Sequence, residues 1–185
     1  MKINIDIYKQ NIWKKKDILT KTEIKKIITK CLEYQKSNTQ TTTQQQTTNI
    51  QQLENHNTQN KSQKPKQVFL NISFVDKNTI IQYNTKYRNK NTETNVLSFE
   101  NQNKQIKTNT NILFLGEMIL CYEKIKQEAE LYNKPFKERL YHLFIHSLLH
   151  LIGYDHIDEK DRKEMEKIEE TILSSFNIKN PYLYN

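Results

Sequence analysis

From Phe136 to Gly153 the chain carries apolar side chains on nearly every helical face: Phe136, Leu140, Leu143, Phe144, Ile145, Leu148, Leu149, Leu151 and Ile152. A surface helix keeps one apolar stripe and one solvated face, so a helix apolar almost all round belongs inside a core. Pro135 stands where a helix tolerates proline at its start, and Gly153 where left-handed backbone ends one. The run falls short of the ~18–20 consecutive apolar residues of a membrane span, as does every other stretch. The rest of the chain must therefore supply the layers that enclose this helix.

Not all of the rest can do so. Residues 37–67 differ from the rest: from Asn38 to Gln63 the chain is nearly all Thr, Gln and Asn, with Ile50 and Leu53 the only large aliphatic side chains there. Such a tract cannot bury enough apolar surface to offset ~1–2 kcal/mol of backbone ordering per residue. It is expected to be a disordered insertion within a single domain spanning 1–185, and His56 inside it is a poor partner for any preorganised site. The tract also depresses the hydrophobic fraction to 35%. Without it, roughly 150 residues of ordinary content remain, enough for one core.

The other elements follow from period and punctuation. Ile3, Ile5 and Ile7 alternate with polar residues, the mark of a half-buried strand. Thr20 or Thr22 caps a predicted helix to about Tyr34, with Ile24, Ile27, Ile28, Cys31 and Leu32 on one stripe. Val68–Val75 reads as a second strand, Asp76 opens a short helix, and Asn95–Phe99 is a third strand. A polar loop, Asn101 to Asn111, precedes a fourth strand, Ile112–Cys121, interrupted at Gly116. Helices follow at Tyr122–Asn133, from Pro135, and at Asp158–Phe176. The expected class is α+β: a mixed, roughly four-stranded sheet packed with helices, the buried helix at the centre.

That helix also carries histidines. Four of the five in the chain, His142, His146, His150 and His156, fall in one short stretch. His146 and His150 share a helix face one turn apart. Gly153 stops the helix, Tyr154 and Asp155 turn the chain, and His156 can fold back to the same point. Three imidazoles are the donor set of a catalytic zinc site that keeps a fourth position open, one Zn²⁺ per chain. His142 lies ~11 Å from His150 by helical rise and cannot join both others on one ion; a pocket role and simple packing are equally compatible with its position. Asp155 either fixes an imidazole tautomer or shapes the turn. A peptidase of the His-Glu-x-x-His type needs an acid directly after the first histidine, and Ser147 stands there instead.

The run from His146 to His156 resembles the His-Gly-x-Leu-His-Leu-x-Gly-Tyr-Asp-His signature of the YbeY family. Tyr87-Arg88-Asn89-Lys90 with Thr94–Phe99, and Leu115–Leu120, are similar to two further blocks of that family in the same order. The tail with Met165, Glu166, Glu169 and Leu173 is similar to its closing helix. The resemblance implies a metal-dependent, single-strand-specific endoribonuclease of ribosomal RNA maturation. It implies processing of the 16S 3′ end and partnership with the small ribosomal subunit. It also implies His146, His150 and His156 as zinc ligands and catalytic residues, with Arg88 the catalytic basic residue of the cleft; read alone, Arg88 looks like a surface ion-pair residue. Ser147 in place of Gly, Glu117 and Asn91 in place of Asp, and Glu100 in place of Pro depart from the pattern without touching a ligand.

Charge and composition fit that implication. The net charge of +8 favours an anionic partner. Two cysteines, Cys31 and Cys121, and the absence of an apolar leader predict a cytoplasmic chain with no membrane partner. Tyr83, Tyr87 and Tyr154 lie beside the motif blocks, where they either stack RNA bases or pack the rim. Attack by the RNA 2′-hydroxyl and attack by water both remain open. So do two other functions: a metallohydrolase of peptides or small phosphoesters, and a ribosome-assembly factor whose metal is structural.

Overall fold

A computed structural model describes residues 1–14, 17–46, 65–101 and 111–183. The alternation at the N-terminus becomes β1 (Lys2–Lys9), and the period-2 run after the polar tract becomes β2 (Gln67–Val75). In β2 the side chains of Val68, Leu70, Ile72 and Phe74 are fully or almost fully buried, while Phe69, Asn71 and Ser73 between them are half-buried.

Helix α1 (Lys21–Gln46) starts at a reciprocal cap. The Glu23 backbone N–H donates to Thr20 Oγ1 at 3.2 Å, and the Thr20 N–H returns a bond to Glu23 Oε2 at 2.7 Å. The helix does not end near Tyr34 as its apolar stripe predicts. It runs on through residues 37–46, the first part of the polar tract. Lengthening an existing helix costs little per residue, and Gln is among the better helix formers. Residues 47–64 lie outside the described residues, with His56 among them, and 65–67 lead into β2.

Helix α2 (Lys77–Arg88) is capped by Asp76, whose carboxylate accepts the Thr79 N–H at 2.8 Å. Then come β3 (Val96–Glu100) and β4 (Ile112–Cys121); residues 102–110, most of the expected polar loop, lie outside the described residues. Three helices complete the chain: α3 (Tyr122–Leu131), α4 (Phe136–Ile152) and α5 (Glu159–Ser174). Among the described residues no helix is long and apolar enough to cross a membrane.

The sheet order is β1-β2-β4-β3, with β1, β2 and β4 parallel and β3 antiparallel to β4. This is the mixed four-stranded sheet expected. The expected break in β4 is a shift of register: Phe69 pairs with Phe114 and Leu70 with Gly116, which leaves Leu115 as the extra residue. Gly116 has φ +135°, and a Cβ there would stand 2.2 Å from the Phe99 carbonyl oxygen. Only glycine lets β3 pair this closely. The paired β3 then forms one wall of the site.

Helix α4 packs against β3, β4, α1, α3 and α5. Leu140, Phe144, Ile145, Leu148 and Leu149 are completely buried in the main core with Leu70, Phe74 and Met118. Val75, Ile80, Leu97, Ile119 and Cys121 form a smaller cluster under α2, with Tyr83 and Phe99 against it. One turn row of α4 is polar: His142, His146 and His150. That row defines where the chemistry sits.

Candidate metal centre

Gly153, at φ 105° and ψ 11°, ends α4 in left-handed backbone. Its N–H bonds the His150 carbonyl at 2.9 Å, and the Tyr154 N–H reaches the Leu149 carbonyl at 3.0 Å. This closure turns the chain back within a few residues, and Asp158 caps α5 by accepting the Asp161 N–H at 2.8 Å. His156 is held between the two helix ends.

The outcome is convergence. Ring centroids are 4.7 Å apart for His146 and His150, 4.9 Å for His150 and His156, and 5.3 Å for His146 and His156. One ring nitrogen from each lies within 4.8 Å of the other two. The His146 and His150 Nε2 atoms face each other at 3.2 Å.

The hydrogen-bond partners fix which nitrogens carry protons. His150 Nδ1 is 3.1 Å from the Tyr154 carbonyl oxygen, which only accepts, so this nitrogen donates. His146 Nδ1 is 2.9 Å from Glu169 Oε1 and donates to it. Both Nε2 lone pairs therefore point at one another. Two such lone pairs repel unless a positive centre lies between them. Ligand nitrogens on a tetrahedral zinc are roughly 3.3 Å apart, from metal–nitrogen lengths of ~2.0–2.1 Å. The donor set fits a divalent cation. Burial, reinforced by the closeness of the other two imidazoles, which penalises adding a positive charge here, lowers the His150 pKa and favours its neutral, ligating form.

Behind His146 stands an acid that the sequence reading did not assign to the site. Glu169 is 1% exposed and accepts from His146 Nδ1, from His142 Nε2 at 2.8 Å and from the Tyr182 hydroxyl. Burial alone would raise its pKa, but bonds from His142 and His146 outweigh that and hold it down to about 2. His142 is oriented from its other side: the Arg139 guanidinium, which can only donate, lies 2.9 Å from His142 Nδ1. Arg139 also grips Glu128 Oε2 at 2.8 and 3.0 Å, and Asn95 Nδ2 donates to the same carboxylate. Of the two roles open to His142, the geometry shows the pocket role. Glu169 did leave a trace in the sequence, an acid between Met165, Ile168, Ile172 and Leu173 on the buried face of α5. Tyr182, beyond the last helix, left none.

The other anticipated residues fall as follows. Asp155 Oδ1 accepts the His156 backbone N–H at 2.8 Å and is 3.9 Å from His150 Nδ1, so it shapes the turn while the Tyr154 carbonyl fixes the tautomer. Arg88, exposed at the end of α2, lines a cavity of about 560 Å³ together with the three histidines, Thr94, Ser98 and Glu100. Asn89, in left-handed backbone, ends α2, and Asn84 Nδ2 bonds the Thr92 carbonyl at 2.8 Å, tying the following loop to the helix. Tyr87 is 53% exposed, stacks on Tyr83 at 6.0 Å and meets the edge of Phe99 at 5.1 Å; Tyr154 packs on the main core. Ser147 also lines the cavity, with its hydroxyl buried and without a hydrogen-bond partner.

The family model and the named relatives agree on one family. The family model described as "Endoribonuclease YbeY" matches residues 32–177. A protein named Endoribonuclease YbeY from Colwellia psychrerythraea is 44% identical over 123 residues, covering 66% of this chain and 77% of that one. One of the same name from Buchnera aphidicola is 42% identical over 113 residues, 61% of this chain and 70% of that one. A solution structure of a Thermotoga maritima protein aligns over 94% of this chain and 92% of that one, with a TM-score of 0.49 and 18% identity.

Proposed function

We infer the function from the premise that this chain belongs to the YbeY endoribonuclease family: it is an enzyme that hydrolyses RNA phosphodiester bonds. The observation that carries the mechanism is the opposed pair of Nε2 atoms 3.2 Å apart, with the His156 ring beside them. On this reading His146, His150 and His156 hold one divalent cation, zinc by the nitrogen-only donor set. Such an ion, when bound, supplies Lewis-acid stabilisation of a phosphoryl oxygen.

The chain's own residues do the rest. Glu169 and the Tyr154 carbonyl hold two rings so that both Nε2 atoms face the same point. Arg88 binds a phosphate in the shared cavity, where its planar fork matches two oxygens and neutralises charge that grows as the bond breaks. Exposed Tyr87, next to it in sequence, offers a ring face to an unpaired base, which favours a single strand over a duplex. The family resemblance supports the finer reading: maturation of ribosomal RNA at the 3′ end of the 16S molecule, on the small subunit, in the cytoplasm.

A peptidase is disfavoured by a specific observation. Ser147 occupies the position of the peptidase acid, and both Glu169 oxygens are engaged by His142, His146 and Tyr182. The deciding experiment measures metal content and cleavage together. Zinc-loaded wild type, His146→Ala and Arg88→Gln are each given single-stranded RNA, casein and a chromogenic phosphoester. The expected result is RNA cleavage by wild type, abolished in His146→Ala and strongly slowed in Arg88→Gln, with metal lost from His146→Ala and retained by Arg88→Gln, and casein intact. Equal RNA cleavage by wild type and His146→Ala exposes a contaminating nuclease and overturns the assignment. A metal-free His146→Ala that supports ribosome maturation in cells points instead to an assembly factor with a structural metal.

A further inference from the structure

Two of the three clustered histidines form a wall shared by two cavities. Beside the Arg88 cavity lies a second one of about 380 Å³, and His146, His156 and Asn95 line both. The two differ in chemistry. The Arg88 side presents Thr94, Ser98, Glu100 and Asp155. The second side presents Leu143, Met165, Ile178 and Pro181, with the rings of Tyr132 and Tyr182.

The deepest polar groups of the second cavity, Arg139, His142 and Glu169, are already committed to one another and to their neighbours. Arg139 is bound to Glu128 and His142, and Glu169 to His142, His146 and Tyr182. An anion seated there would have to break that network. Beside the charged Glu138, Arg162 and Glu166, the rest of the wall is largely apolar and aromatic, which suits the faces of a flat heterocycle. Exposed Lys179 and half-exposed Lys134 also line the cavity and suit the phosphates on either side of such a group. A cavity of this size falls in the range of small-molecule sites, with room for a base and part of its ribose.

A phosphodiester held at the triad carries one nucleoside on each side. We propose that the second cavity is a nucleobase subsite, taking the base of one nucleoside flanking the scissile phosphate while the polar Arg88 cavity takes the phosphate and sugar on the other side. This rests on the RNA-cleaving reading above. It assigns Met165, Ile178 and Tyr182 to substrate selection, a role that no metal-ligating argument would give them.

The test uses the full zinc-loaded chain and two probes: a 2′-O-methylated trinucleotide of uridine, and the same backbone without bases. With ¹³C-labelled methyl groups, the trinucleotide shifts the Met165 and Ile178 methyl resonances through its ring currents, whereas the abasic probe binds without moving them. Ile178→Trp, which fills the cavity, raises KM for single-stranded RNA about tenfold or more, the scale of one lost stacked base, with zinc content unchanged. Equal methyl shifts from both probes, or an unaltered KM in Ile178→Trp, overturn the subsite. Should neither probe bind at all, the RNA reading itself fails, a result distinct from the other two. The methyl measurement is made on the native chain and stands even if the tryptophan variant folds poorly.

Discussion

Glu169 accepts three donors with two oxygens, and the polarity of that arrangement reaches the metal centre. Its carboxylate requires a proton on the facing nitrogens of both His142 and His146. The two rings therefore hold opposite tautomers, His142 protonated at Nε2 and His146 at Nδ1, and only the second leaves Nε2 to ligate. Glu169→Gln keeps size and shape but puts an amide donor where one histidine also donates, so one hydrogen bond must fail. Removing such a partner of a ligating histidine costs 10–100-fold in metal affinity. That loss is expected here, read by competition with a chromogenic zinc chelator, together with a His146 Nδ1 resonance that no longer reports a single protonated tautomer. Zinc affinity within twofold of wild type would show that Glu169 serves packing alone. The three histidines were legible in the sequence because their spacing is local, set by one helical turn and one glycine-stopped turn. Glu169 was not, because it stands 23 positions from His146 and the two are brought together only by packing of α5 on α4.

At the scale of elements, the histidine helix is fixed to its neighbour by Glu23. This side chain closes the Thr20 cap of α1, accepts the Tyr141 hydroxyl at 2.7 Å and pairs with Lys137 Nζ at 2.8 Å. Both partners are on α4, so one carboxylate sets the start of α1 and its seat against the helix that carries the site. Partial burial would raise its pKa, but bonds from Lys137, Thr20 and Tyr141 prevail and lower it from about 4.5 to about 2. With the folded value depressed, the unfolded chain takes up the proton first on acidification. The stabilisation is therefore complete above about pH 4.5 and fades as pH falls toward 2. Glu23→Gln, which resembles the protonated form, is expected to cost about 1 kcal/mol at neutral pH, the scale of a lost cap. The variant should converge with wild type near pH 2; urea unfolding of both proteins between pH 2 and 7 measures this. A constant difference across that range would mean that shape, not charge, is what Glu23 contributes. Element identities were legible here because cap, stripe and glycine signals are short-range. The end of α1 was not: its apolar stripe stops near Tyr34, and only cheap elongation carries the helix to Gln46.

Across the whole molecule, charge and chemistry are separated. The chain carries +8, yet both cavities at the triad contain acids: Glu100 and Asp155 in one, Glu138, Glu166 and Glu169 in the other. The excess of positive charge lies outside the site, as in the exposed Lys21, Lys25 and Lys26 of α1. If an RNA strand is gathered by many surface phosphate contacts and cut by a few local groups, salt should act on the first without the second. For a single strand, the logarithm of affinity falls with the logarithm of salt by ~0.7 per phosphate neutralised. Arg88→Gln should reduce that slope by only about 0.7, since it removes one contact of several. Its single-turnover cleavage rate at saturating protein should fall by about 10²–10³, the scale of a lost transition-state donor. Filter binding and single-turnover cleavage, each run from 50 to 300 mM salt, separate the two effects. If affinity proves independent of salt, the surface charge has no part in capture. If Arg88→Gln weakens binding as much as it slows cleavage, the arginine acts as a general phosphate contact and not at the bond being broken.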